Sequence, residues 1–458
     1  MQIPTNHTDL SKTLRDRRQK LAKLINFPAI LWSGSPSSRN FPANTFPFRP
    51  SSHFLYFAGL SITDAAIRLE GGKLELFMDN PSPSDLLWHG GIPTRDRLAE
   101  IIGADAAFPI KELKDYAANV ATIYVQNPTT KITQSQILNR DIFPSKKPQE
   151  IDLELTKAIV SLRLSHDDMA LTEIKQAAAV TVKAHKAGMA ATKNARFEAN
   201  IRAAMEAIII SHNMTCAYNS IVTVHGEVLH NGEYYYPLQT GDLLLADVGA
   251  ETTLGWASDV TRTWPVSGKF SPTQRDIYDV VLAAHDNCIA QVKPGVEYLD
   301  IHLLAAQTIA EGLVNLGILK GQPEQLVEMD AHALFFPHGV GHLLGLDVHD
   351  MEDLGDLAGY EIGRERSSRF GLSFLRLNRP LASGMLVTIE PGFYQVPAIL
   401  NNTETRQKYQ HIVNWEKLKH FSDVRGIRIE DDVLVTTKGA EILTKELPSN
   451  TDAIENLL

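Results

Sequence analysis

"FFPHGVGHLLGLDVHD", residues 335–350, packs three histidines and two aspartates into a stretch otherwise made of Phe, Pro, Val, Leu and Gly. His338 and His342 are four apart, a spacing that on a helix would put both on one face. Gly339, Val340 and Gly341 between them are poor helix formers, and the Glu that a zinc-protease helix carries after its first His is absent. The stretch therefore reads as a Gly-rich turn entering an apolar strand. If that strand starts at His342, then His342, Leu344, Leu346 and Val348 share one face. For any single histidine here, a core residue hydrogen-bonded to backbone is the competing reading, so the rest of the chain decides.

At 458 residues the chain has room for two or three domains and a large core. Hydrophobic content of 44% and charged content of 21% are those of a soluble globular protein. A formal charge of −10 speaks against a nucleic-acid or anionic-membrane partner, because phosphate neutralisation needs a basic surface. The run "RDRRQK" from Arg15 reads as the wet face of a helix. No stretch approaches the roughly 20 apolar residues that span a bilayer, and the N-terminus lacks the charged and apolar regions of a secretory signal. Cys216 and Cys288 are the only cysteines, too few and too far apart for a disulfide framework or a thiolate zinc site. A cytoplasmic location is the resulting expectation.

From about residue 10 to 160, short apolar runs ("AILWSG", "KLELFMD", "TIYVQN") alternate with helical stretches ("LSKTLRDRRQKLAKLI", "TRDRLAEIIG"), the texture of an α/β domain, set here at 1–164. Ser165 with Asp168 resembles a capping box, and Leu171, Ile174 and Ala178 recur at helical spacing, so a long helix opens a second domain at 165–458. A further helix, three strand segments, two helices around 272–293 and 299–317, and a final region of strands and loops follow. This mixture is α+β.

Four segments of this second domain set an acid inside an apolar, strand-like context: Asp247 in "LLLADVGAE", Asp259 in "WASDVTRTWP", Glu390 in "LVTIEPGFY" and Glu430 in "GIRIEDDV". A carboxylate buried without a partner costs several kcal/mol or shifts its pKa until it is neutral. Only Arg262, Arg425 and Arg428 lie in or near these segments, too few for four separate ion pairs. Two divalent cations would balance the four carboxylates, with one neutral imidazole completing the set. Carboxylate oxygens with a single His suit Mn²⁺, Co²⁺ or Zn²⁺.

The ordered set Asp247, Asp259, His342, Glu390 and Glu430, within "DVG", "SDVTRTWP", "HGVGHLLGLDVHD", "TIEPGFY" and "GIRIEDD", resembles the metal pentad of the pita-bread metallopeptidases. "NTFPFRPSSHFLYFAGL", residues 44–60, is similar to the N-terminal, creatinase-like domain of the aminopeptidase P and prolidase branch. The resemblance implies that Asp247, Asp259 and Glu430 hold a first metal, and that Asp259, His342, Glu390 and Glu430 hold a second, with Mn²⁺ as the first expectation. It implies substrate-side roles for His230, His338 and His349, and makes Glu390 the proton carrier. Arg428 would brace the carboxylates, Tyr394 would line the same wall, and both count among the substrate-binding residues. Arg376, in "FLRLNRPL", lies where the prolidase branch places an arginine that meets the substrate's C-terminal carboxylate; an ordinary surface ion pair is its competing reading. Proline-containing peptides are the implied substrates, and a homodimer or homotetramer, with Trp88 reaching toward a neighbour's cleft, the implied assembly.

Asp247 and Asp259 are twelve apart, one residue more than the family pattern. An extra residue at a hairpin tip near "TTLGW" would keep strand parity; in a strand it would need a bulge. The segments 351–378 and 396–424 lengthen loops flanking the implied cleft. "VNWEKLKHF" is more like prolidase, whereas "LGILKG" and "HALFFPHGVGH" are more like aminopeptidase P. The reading that results is an Xaa-Pro aminopeptidase. An Xaa-Pro dipeptidase is the alternative within enzymes, and a peptide-binding module of the same fold the alternative outside them.

Overall fold

The computed structural model describes residues 7–142 and 149–458, and the chain divides into two compact units, 1–163 and 164–458. In the first, a five-stranded mixed sheet runs in the order Ala106–Phe108, Lys73–Phe77, Ala66–Glu70, Ala29–Trp32, Ala121–Thr122. The inner three strands are antiparallel and the two edge strands pair in parallel. "TIYVQN" gives only Thr122 to the short edge strand Ala121–Thr122, where the Thr122 hydroxyl donates to the Ile30 carbonyl and its backbone N–H to the Asp152 side chain.

The helix His7–Leu21 bears out its basic run as a wet face only in part: Arg15, Asp16, Gln19 and Lys20 are exposed, but two arginines turn inward. Arg17 and Arg18 are almost completely buried. Arg17 lies over the Tyr56 ring and donates to the Tyr56 carbonyl, while Arg18 donates to the carbonyls of Ile102 and Gly103. Those carbonyls end the helix Arg95–Ile102, where the last turn leaves acceptors without partners and a cation is favoured.

The second unit opens with the helix Asp168–Thr192, whose cap is Asp167, accepting from the Ala170 N–H, and not Ser165. It packs on Glu198–Ser211, and Pro272–Gln291 packs on Tyr298–Asn315. Short strands, buried except for the largely exposed Ala440–Ile442, complete the unit. Thr261–Pro265, Leu243–Asp247 and Ile221–Thr223 form one antiparallel sheet, and Leu386–Ile389, Asp431–Val435 and Ala440–Ile442 another. Gly392–Tyr394 pairs with Gly426–Arg428. This is the mixed α/β architecture expected, with the pita-bread unit C-terminal. Among the described residues no helix is long and apolar enough to cross a membrane.

Residues 342–348 do not form the expected strand. The backbone of 340–344 follows the edge of Leu386–Ile389, through Glu390 N to Val340 O, Thr388 N to His342 O and Leu344 N to Leu386 O. Gly341 makes this approach possible, since a Cβ there would stand 2.1 Å from the Thr388 carbonyl oxygen. The His342 N–H, however, goes to the Thr388 hydroxyl, and beyond Leu344 the chain curls back so that Asp350 N reaches Leu343 O. The result is a closed loop carrying His349 back over His342. The segment 396–424 forms three short helices, and its backbone at 412–414 is hydrogen-bonded to residues 318 and 320.

Candidate metal centre

Each of the four acids stands at the end of a strand or between two. Asp247 is the last residue of Leu243–Asp247, Asp259 precedes Thr261–Pro265, Glu390 follows Leu386–Ile389, and Glu430 separates Gly426–Arg428 from Asp431–Val435. The twelve-residue spacing is absorbed in a turn at 252–256, where Thr252 N bonds to Trp256 O, and the register Asp247↔Thr261 is regular. Both aspartates consequently reach the same hydroxyl: Tyr218 lies 2.5 Å from Asp247 Oδ1 and 2.5 Å from Asp259 Oδ1. Thr261 stitches the sheets together, its hydroxyl donating to Glu430 Oε2 at 2.7 Å while its carbonyl accepts from Glu430 N.

Ligand atoms of Asp259, His342 and Glu430 all lie within 4.8 Å of one another, and all three residues are buried. Glu390 Oε1 and Asp259 Oδ2 are 3.5 and 3.4 Å from His342 Nε2. Asp247 has both oxygens engaged, one by Tyr218 and the other by Arg428 Nη2 at 2.6 Å. The neighbouring acids of "IEDD" turn elsewhere. Asp431 pairs with Arg262, and Asp432 accepts from the Ser258 hydroxyl and the Asp259 N–H. Arg425 goes to His225. Of the three arginines near these segments, Arg428 is the one bonded to a site carboxylate, at Asp247.

Burial, then the neighbouring carboxylates, pushes the Asp259 and Glu430 carboxyls well above their ordinary range. Burial raises Glu390 to about 7. The His342 ring is held neutral by burial and by His349. Its Nδ1 lies 3.0 Å from the Leu343 carbonyl, which assigns the proton there and turns the Nε2 lone pair toward two carboxylates. Lone pairs and carboxylate oxygens facing one another across a buried space repel unless a cation lies between them. The donor set therefore fits divalent metal.

The remaining expected residues surround this set. The His349 ring packs edge-on to His342 with centroids 4.3 Å apart, and its Nδ1 binds Glu352. His338 is bonded through Nε2 to the Tyr394 hydroxyl at 2.9 Å, and burial, then Arg428, lowers its pKa to about 3. Tyr394 and Arg428 were expected to face substrate; both are buried, and Arg428 Nη1 donates to the Tyr394 hydroxyl at 2.9 Å behind the carboxylates. His230 is exposed, its pKa lowered by lost hydration and then by Arg428. Arg376 is ion-paired, with Nε 3.1 Å from Glu352 Oε1.

Residues 172–437 match the model of metallopeptidase family M24, and residues 14–126 that of the aminopeptidase P N-terminal domain. The chain belongs to metallopeptidase family M24. A probable Xaa-Pro aminopeptidase of Talaromyces stipitatus is 32% identical over 426 residues, 90% of this chain and 88% of that protein. Another, of Fusarium vanettenii, is 32% identical over 445 residues, 95% of this chain and 93% of that protein. Among solved structures, Pseudomonas aeruginosa aminopeptidase PepP superposes with a TM-score of 0.80 at 29% identity, covering 100% of this chain and 98% of that one. Escherichia coli aminopeptidase P with the inhibitor Pro-Leu also gives 0.80, at 27% identity and 98% coverage of each chain.

Two residues of this M24 site escape a motif-based reading. Tyr218 is fully within the acid cluster, yet "CAYNS" shows nothing but a tyrosine near a strand; its only signal is position just before "IVTV". Glu352 opens the short 3₁₀ helix Glu352–Leu354, outside every quoted motif.

Proposed function

We propose that this M24 chain is a metal-dependent Xaa-Pro aminopeptidase, releasing the N-terminal residue from peptides whose second residue is proline. The observation that carries it is the largely buried set of four carboxylates and one neutral imidazole, in which Arg428 bonds Asp247, on a chain whose relatives over nearly their whole length are named probable Xaa-Pro aminopeptidases. Asp247, Asp259, His342, Glu390 and Glu430 would hold two divalent ions, Mn²⁺ first and Co²⁺ or Zn²⁺ as alternatives. When bound, such ions supply Lewis acidity toward the scissile carbonyl and a water of lowered pKa.

The chain's own groups do the rest. Glu390, facing His342 Nε2 with a partly open side chain, carries the proton from the attacking water to the departing nitrogen. That delivery is needed because the leaving group is the tertiary amide nitrogen of proline. His349, whose Nδ1 donates to Glu352, can also donate through Nε2 to the developing oxyanion when both ring nitrogens carry a proton. Arg428 and Tyr394 hold Asp247 and His338 in place from behind. His230, exposed beside this cluster, and His338 are the further substrate-side groups.

A dipeptidase reading rests on Arg376 and loses support from its pairing with Glu352. A peptide-binding module without activity has no use for five intact ligand positions. A dimer or tetramer in the cytoplasm completes the proposal, supported by the exposure of Leu87 and Trp88 and by two free cysteines. The test is product analysis by mass spectrometry after incubation of Mn²⁺-loaded protein with Xaa-Pro-Yaa-Zaa. Free Xaa and Pro-Yaa-Zaa are expected; cleavage at any other bond, or of dipeptides alone, overturns the reading.

A further inference from the structure

Beside His342 and His349 opens a shallow recess whose walls include Glu352, Arg366 and Arg376. Two guanidinium groups at the edge of a peptidase site would ordinarily attract a carboxylate, since arginine matches its planar geometry. Here both are already paired within the chain, Arg366 through Nε and Nη2 and Arg376 through Nε. Arg366 binds Asp356 Oδ1 at 2.6 Å through Nη2, and Arg376 binds Glu352 Oε1 at 3.1 Å. The second oxygen of Glu352 accepts from His349 Nδ1. The His349 hydrogen bond first, then Arg376, holds the Glu352 carboxyl down at about 2, so its charge is constant through the neutral range.

The Glu352 side chain is 47% exposed and that of Arg376 30%. An ion pair so open to water adds little to stability. Its consequence lies instead in what the recess accepts. In an Xaa-Pro dipeptide, a negative carboxylate follows proline directly; in a longer peptide, a neutral amide stands at that position. A recess with its guanidinium groups occupied and a fixed carboxylate at its wall repels the first and tolerates the second, which is discrimination by a built-in repulsive element.

Resting on the aminopeptidase reading, we infer that Glu352 is a specificity-determining residue: by occupying Arg376 it excludes substrates that carry a free carboxylate immediately after proline and selects those with an amide there.

The test compares kcat/KM for Ala-Pro and for Ala-Pro amide, which differ only in that charge, in the metal-loaded wild type, Glu352→Gln and Glu352→Gln/Arg376→Ala. Loss of the His349 anchor lowers both rates together and cancels in their ratio. The acid-to-amide ratio is expected to rise by about ten-fold or more in Glu352→Gln, as removal of a like charge implies, and to fall back when Arg376 is also removed. An unchanged ratio, with wild type still favouring Ala-Pro-Ala-Ala over Ala-Pro, overturns the role of Glu352 alone. A wild type that favours Ala-Pro over Ala-Pro-Ala-Ala overturns both this inference and the aminopeptidase reading.

Discussion

Arg262→Met removes the cation that fixes the strand carrying Glu430. The guanidinium is fully buried and uses all five of its N–H groups. Nε donates to Pro448 O, Nη1 to Thr261 O and Glu430 O, and Nη2 to Asp431 Oδ1 and Leu447 O, at 2.6–3.0 Å. Methionine fills much of the volume but leaves the Asp431 carboxylate buried with only Thr444 and His285 beside it. Breaking a buried pair from one side costs about 3–5 kcal/mol. At roughly 2–4 °C per kcal/mol for a large domain, the melting temperature should fall by roughly 6–20 °C. Calorimetry on metal-free protein is the assay, since bound metal would add its own stabilisation.

The same substitution has a pH signature. Burial alone would raise the Asp431 carboxyl; Arg262, then His285 and Thr444, hold it well below the ordinary range instead. A depressed folded-state value means its stabilisation is complete above the unfolded value near about 4 and is lost as pH falls below it. The gap between wild type and Arg262→Met should therefore be widest at neutral pH and narrow in acid. A gap under about 1 kcal/mol at neutral pH, or one that widens in acid, refutes the reasoning.

Removing His342 with Ala should abolish metal binding, whereas His349→Ala and His230→Ala should keep metal and lose turnover, by roughly 10² to 10³ for one transition-state donor; equal metal loss in all three, measured by mass spectrometry of the elements, would refute that division. Tyr218→Phe keeps the ring but removes the hydroxyl shared by Asp247 and Asp259. Metal affinity should weaken by about 10- to 100-fold, the scale for a group that orients ligands, with a competition titration as the check and an unchanged affinity as the contrary result.

How much of this was legible beforehand depended on range. Asp247, Asp259, Glu390 and Glu430 could be picked out because a lone acid in a strand-like apolar run is a local anomaly, and the scarcity of nearby arginines turned it into a demand for metal. Contacts between distant segments left no such trace. Two arginines of the first helix's basic run are buried because Arg17 meets Tyr56 and Arg18 caps a helix end 84 residues away. Tyr218 and Glu352 acquire meaning only when folding brings Asp247 or Arg376 beside them. The strand expected from His342 failed because apolar alternation does not reveal that Thr388 takes the His342 N–H and that the chain turns back through Gly345.

The central claim is that the buried acid set exists to hold metal for hydrolysis next to proline. The most direct measurement titrates Mn²⁺ into chelator-treated protein, counting bound metal while following release of alanine from Ala-Pro-Ala-Ala, with Asp259→Asn in parallel. Metal-free wild type should be inactive and should regain activity in step with bound metal, up to about two ions per chain, while Asp259→Asn should neither bind nor hydrolyse. Full hydrolysis by the metal-free protein, or normal metal binding and turnover in Asp259→Asn, would contradict it.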